Sequence, residues 1–66
     1  MPIISAQIVS GRTPEQKRML MQGIVKATVD ALNVPEQSVR VILSEVAPEH
    51  WGIGMTTKAE KDGKKG

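Results

Sequence analysis

The spacing of apolar positions along the chain changes period from segment to segment, and each change marks an element. From Ile3 to Val9 the run is rich in β-branched residues and alternates. Ile4, Ala6 and Ile8 fall on one face, Ser5 and Gln7 on the other, with Ile3 and Val9 at its ends. That period of two predicts a strand, and Ser10-Gly11 break it. Further on, Leu20, Ile24, Ala27 and Ala31 form one stripe, widened by Met21, Val25 and Leu32. Gln16, Lys17, Gln22, Lys26 and Asp30 supply the polar positions, so the pattern predicts an amphipathic helix of roughly five turns. Its start is written in Thr13-Pro14-Glu15-Gln16. Thr13 serves as N-cap, Gln16 closes a capping box, Pro14 stands where a missing N–H costs nothing, and Glu15 complements the helix dipole. Asn33 is the expected C-cap, and Pro35 prevents continuation. Gly23 lies inside the helix at a cost of about 1 kcal/mol relative to Ala, which predicts a close packing contact there. From Ser38 to Val46 alternation returns, Val39, Val41 and Leu43 against Arg40, Ile42 and Ser44, and predicts a second strand. Glycines on both sides of Ile53, in His50-Trp51-Gly52-Ile53-Gly54, predict a tight turn or small hairpin. No internal repeat is present.

A strand, a helix and a strand joined in this order predict parallel neighbours with a right-handed crossover. The expected fold class is therefore α+β, a βαβ protomer with two parallel strands and one helix. One helix covers one sheet face only, and a sheet of two strands is marginal by itself. A chain of 66 residues buries a poor fraction of its surface and needs help from disulfides, metals or oligomerisation. There is no Cys and a single His, His50, which excludes disulfides, thiolate metal sites and a Cys nucleophile. Oligomerisation remains, with partner chains covering the open face and extending the sheet edges.

Charge changes the picture less than the total suggests. The formal net charge is +2, and residues 58–66 alone carry four Lys against Glu60 and Asp62. The body is neutral, so the basic balance does not indicate a nucleic-acid surface, which requires a patch on the folded domain. The division expected is a folded body, residues 1–57, and a Lys-rich flexible tail, residues 58–66. No apolar run reaches the length of about 20 residues that spans a bilayer, and the N-terminus lacks the pattern of a signal peptide. With the absence of Cys, these features lead to the expectation of a cytoplasmic protein with no membrane or nucleic-acid partner.

Four residues stand out as candidate chemistry. Pro2 directly follows the initiator Met1 and directly precedes a strand. A small second residue permits removal of Met1, which exposes a rigid secondary amine. An α-amino group ordinarily titrates near 7.7–8.0, and apolar surroundings or cations favour its neutral form, which suits a general base. Alone, Pro2 reads as the first residue of a strand, where Pro is tolerated. Arg12 follows the Gly11 turn, and Arg40 lies in a strand, where a cation is unusual. Both have the planar fork that holds a carboxylate. Their plainer readings are a solvated turn residue and an edge-strand charge that discourages aggregation. Trp51 is the chain's single aromatic residue, either a cap on a core or interface or the apolar wall of a pocket. His50 reads as an exposed polar residue, and the Met residues as core or interface filler. There is no phosphate-binding loop, dinucleotide fingerprint, nucleophile elbow or paired-carboxylate constellation.

Taken together, Met1-Pro2-Ile3, Ser10-Gly11-Arg12, Pro14-Glu15-Gln16-Lys17, Ser38-Val39-Arg40-Val41 and Trp51-Gly52-Ile53-Gly54 resemble the 4-oxalocrotonate tautomerase family. The resemblance runs from Pro2 to about Gly54. It implies a hexamer built as a trimer of dimers, each protomer completed by dimerisation into a four-stranded sheet, and an isomerase without cofactor or metal. In it, mature Pro2 moves a proton between carbon and oxygen of an enol or unsaturated keto acid, such as a 2-hydroxydienoate. By the family pattern Arg12 binds the distal carboxylate of this small substrate. Arg40, from a neighbouring subunit, holds the carboxylate-carbonyl end and stabilises charge developing on oxygen. Trp51 stands where the family usually has Phe and forms an apolar wall. The added bulk and N–H donor imply a differently shaped pocket.

Two other readings remain open at this level. Relatives that hydrate or dehalogenate acrylic acids carry a further arginine on the first strand and a water-activating acid, and Val9 at the corresponding position speaks against that branch. A non-enzymatic oligomeric binding module would leave Pro2 structural and use the Lys-rich tail on an acidic partner.

Overall fold

The computed structural model describes residues 1–63. Strand β1 (Ile3–Val9) leads through the Gly11 turn into helix α1 (Pro14–Leu32), and strand β2 (Arg40–Val46) follows. A hairpin of two short strands, β3 (Gly52–Ile53) and β4 (Thr56–Thr57), and a short helix, α2 (Lys58–Gly63), complete the described chain. Single 3₁₀ turns at Glu36–Ser38 and Pro48–His50 flank β2. β1 and β2 pair in parallel from Ile3↔Arg40 to Val9↔Val46, while β3 and β4 are antiparallel. The chain thus has the α+β, βαβ architecture that the strand–helix–strand pattern predicts, and the glycine-flanked Ile53 does sit in a hairpin.

The helix begins and ends as its sequence dictates. Thr13 Oγ1 accepts from the Gln16 amide and Gln16 Oε1 accepts from the Thr13 amide, both at 3.1 Å. Pro14 occupies the first turn, and Asn33 adopts a left-handed conformation while its amide donates to the Val29 carbonyl at 2.8 Å. Gly11 has φ +120°, a conformation that L side chains rarely adopt, so the exit from β1 depends on glycine.

The stripe that faces the sheet is displaced from the expected one. Lys17, Met21, Ile24, Val25, Thr28 and Val29 are half-buried, whereas Leu20, Ala27 and Ala31 are exposed. The two polar residues in the inner stripe have partners, which makes their burial tolerable. Lys17 Nζ pairs with Glu45 Oε1 of β2 at 3.0 Å, and Thr28 Oγ1 donates to the Ile24 carbonyl at 2.8 Å. Gly23 meets no atom within 4 Å, so the close contact expected there does not occur within the protomer.

β2 starts at Arg40 and not at Ser38. The amides of Ser38 and Val39 donate to the Pro35 and Glu36 carbonyls at 3.0 and 3.2 Å, and Ser38 Oγ also donates to Pro35 at 2.8 Å. Amides used in that turn are unavailable to the ladder. Residues 58–63, within the segment expected to be a Lys-rich flexible tail, form α2, and the rest of that segment lies outside the described residues.

The protomer has almost no core of its own. Among the described residues only Val39, at 8% exposure, is a buried hydrophobic residue. Ile3 and Ile42 on the uncovered face of the sheet are 63% and 55% exposed, and Met19 and Leu32 on α1 are 67% and 57% exposed. Apolar side chains exposed at this density mark an interaction surface.

Candidate active site

Pro2 and Arg40 come together at one end of the sheet. The Arg40 amide donates to the Pro2 carbonyl at 2.9 Å, directly before the Ile3↔Arg40 pair that opens the ladder. Pro2 is half-buried and Met1 is 78% exposed, so the bond that joins them lies at the surface. Arg40 and Ile42 point to the face of the sheet opposite α1, as strand alternation requires.

The guanidinium of Arg40 folds back on its own chain. Nη1 donates to the Gln37 carbonyl at 2.6 Å and to the Val39 carbonyl at 3.4 Å. Only Nη1 is engaged among the described residues, so the rest of the fork is available to a ligand. Gln37 is a contributor that sequence reasoning missed. It acts through its main-chain oxygen, and no side-chain pattern announces a carbonyl turned outward by a 3₁₀ turn.

Arg12 and Trp51 follow the opposite ends of the strands. The seven residues of β1 span about 20 Å, so Arg12, beyond Gly11, is that far from Pro2 of the same chain. Arg12 lines an open recess of about 260 Å³ with Ile8, Gln16, Lys17 and Leu20. Lys17 is paired with Glu45 there, which leaves Arg12 as the cation without a salt-bridge partner among the described residues lining the recess. A larger open groove, about 570 Å³, runs along α1 between Arg18 and Glu36 and contains none of the four candidates. Trp51 is half-buried, between the 3₁₀ turn that ends at His50 and the hairpin. Its amide donates to the Pro48 carbonyl at 3.3 Å, and its carbonyl accepts from the Lys58 amide at 2.8 Å. His50 is exposed.

One protomer therefore places Pro2 and the main chain of Arg40 together at one end of the sheet, and Arg12 and Trp51 beyond the other. Among the described residues no group of three or more His, Cys, Asp or Glu is placed to hold a metal ion. No helix among them is long and apolar enough to cross a membrane.

A family model described as tautomerase enzyme matches residues 2–61. A probable tautomerase of Ralstonia nicotianae is 41% identical over 63 residues, 94% of this chain and 90% of its own length. A 2-hydroxymuconate tautomerase of Pseudomonas putida is 44% identical over 54 residues, 82% of this chain and 86% of its own. The solved structure of a heterohexamer 4-oxalocrotonate tautomerase from Chloroflexus aurantiacus J-10-fl superposes with a TM-score of 0.87 at 37% identity, covering 91% of this chain and 97% of that one. With the βαβ topology, the parallel register and a family match that spans nearly all of the chain, this protein belongs to the 4-oxalocrotonate tautomerase family of the tautomerase superfamily.

Proposed function

We propose that the chain, after removal of Met1, is a cofactor-independent tautomerase of 2-hydroxydienoates such as 2-hydroxymuconate, with the Pro2 amine as general base. The enol O–H gives its proton to the amine, the double bonds shift along the conjugated chain, and the amine returns a proton to carbon. Atoms and electrons balance within one substrate, and the base is restored in each turnover. Arg40 of a neighbouring subunit holds the carboxylate-carbonyl end and stabilises the oxygen on which charge develops. Arg12 binds the distal carboxylate through its fork, and Trp51 supplies the apolar wall.

The observation that carries this reading is the placement of Pro2. It is half-buried at the amino end of β1, its carbonyl is fixed by Arg40, and its nitrogen is joined only to an exposed Met1. A group so fixed becomes a positioned amine once Met1 is removed, as proximity catalysis requires. The distance between the Pro2 and Arg12 ends supports a site completed by other chains. So does the exposed apolar face formed around Ile3 and Ile42. We propose a hexamer, a trimer of dimers whose sheets have four strands, in agreement with the hexameric relative. A cytoplasmic location, without membrane or nucleic-acid partners, belongs to the same reading.

The test is made at the N-terminus. Mass spectrometry on purified, active protein should find Pro2 as the first residue. A folded preparation that retains Met1 throughout and still isomerises 2-hydroxymuconate at the full rate would remove the base from the mechanism, because an amide nitrogen cannot accept the proton.

A further inference from the structure

The chain contains a second reciprocal cap, in the segment whose composition suggested only a solvated tail. The Thr57 amide donates to Glu60 Oε1 at 2.9 Å, and the Glu60 amide donates to Thr57 Oγ1 at 3.1 Å. This Thr-x-x-Glu arrangement starts α2 as Thr13 and Gln16 start α1. Six residues do not hold a helix by propensity, so α2 depends on its cap and on what it packs against.

The first amides of a helix have no acceptor inside it. In α2 the Lys58 amide finds one in the Trp51 carbonyl, at 2.8 Å, a step beyond the Gly52↔Thr57 pair of the hairpin. The Trp51 amide is taken by Pro48. The main chain of Trp51 is thus held from both sides, by the 3₁₀ turn before it and by the first turn of α2 after it. Ala59, in that same turn, is half-buried.

We propose that Thr57 and Glu60 are positioning residues for Trp51 and through it determine substrate specificity. Their cap starts α2, α2 presents the Lys58 amide to Trp51, and the indole is kept where it bounds the substrate. This rests on the reading of Trp51 as a pocket wall. Loss of the cap loosens the wall and weakens substrate binding, while the proton transfer at Pro2 is untouched. KM rises and kcat stays close to the parent value.

Trp51 is the only aromatic residue of the chain, so its fluorescence reports on this position alone. The experiment compares the parent, Thr57→Ala, Thr57→Ser, Glu60→Ala and Asp62→Asn in the full chain, each with its assembly checked by sedimentation. Asp62→Asn disturbs the Lys58–Asp62 pair of α2, at 2.6 Å, and leaves the cap in place. Thr57→Ala should shift Trp51 emission to the red, lower its anisotropy and raise KM for 2-hydroxymuconate roughly fivefold, the factor a lost cap gives. Thr57→Ser should restore both, and Asp62→Asn should match the parent. If Thr57→Ala does not assemble, Glu60→Ala, which removes only half of the reciprocal pair, is read in its place. Unchanged emission in the cap variants overturns the proposal, and so does an equal shift in Asp62→Asn. Shifted emission with unchanged KM overturns the specificity role of the cap, whereas an unchanged KM in Trp51→Ala overturns the assignment of Trp51 to the pocket. Loss of kcat at constant KM would overturn the division of labour between Trp51 and Pro2.

Discussion

Arg40 and Pro2 are joined through the main chain, the amide of one donating to the carbonyl of the other at 2.9 Å. The bond does not involve the guanidinium. Side-chain substitutions at position 40 therefore leave the anchor of the N-terminal strand in place and remove the guanidinium with its contacts to the Gln37 and Val39 carbonyls.

Arg40→Ala should lower kcat by about 10²-fold or more, the scale of one lost donor to a developing oxyanion. Arg40→Lys should retain more activity than Arg40→Ala yet fall short of the parent, because an ammonium cannot make the bidentate contact. Steady-state kinetics on both variants decide it, and equal activity of the two would make Arg40 structural.

Pro2→Ala should fold and assemble normally but transfer protons far more slowly, since it replaces a ring-held secondary amine by a freer primary one. A chain extended before Pro2, in which the nitrogen remains an amide, should lose about 10²-fold or more. Circular dichroism shows that the fold is kept, and the rate of ketonisation measures the loss.

Because Arg12 lies about 20 Å from Pro2 along β1, a site that uses both draws them from different chains. Pro2→Ala and Arg12→Ala preparations, each of low activity, should recover activity when unfolded together and refolded as mixed assemblies. No recovery would place both residues in one chain's site.

Ile42 is 55% exposed on the face opposite α1. Ile42→Glu should introduce charge into the proposed interface and yield species smaller than a hexamer in sedimentation. Unchanged assembly would show that partner chains leave this face uncovered.

The cap of α1 is the cleanest local test. Thr13→Ala should cost about 1 kcal/mol of stability, with Thr13→Ser close to neutral, read from denaturant midpoints at fixed protein concentration.

Several parts of the structure were legible in the sequence because they are local. The alternation in Ile3–Val9 has one period, the stripe that follows Pro14 has another, and Thr13, Gln16 and Asn33 act on amides and carbonyls within a turn of themselves. The prolines and the glycine-flanked Ile53 likewise fix chain direction by their own backbone preferences. Of the candidate site, the residue types at Pro2, Arg12, Arg40 and Trp51 could be named, together with the family that their spacing resembles.

The rest depended on groups that are distant in the chain. Lys17 sits in the inner stripe with Glu45 of β2 as its partner, while Leu20 lies outside it. Ser38 and Val39 leave the ladder because Pro35 and Glu36 take their amides. The guanidinium of Arg40 rests on the Gln37 carbonyl and the first amide of α2 on the Trp51 carbonyl, acceptors that no residue pattern encodes, whereas the Thr57-x-x-Glu60 cap that starts α2 is local. Composition fixed the kinds of side chain available. Tertiary structure decided which share an end of the sheet, because strand length separates Arg12 from Pro2 and hydrogen-bond register places Arg40 beside it.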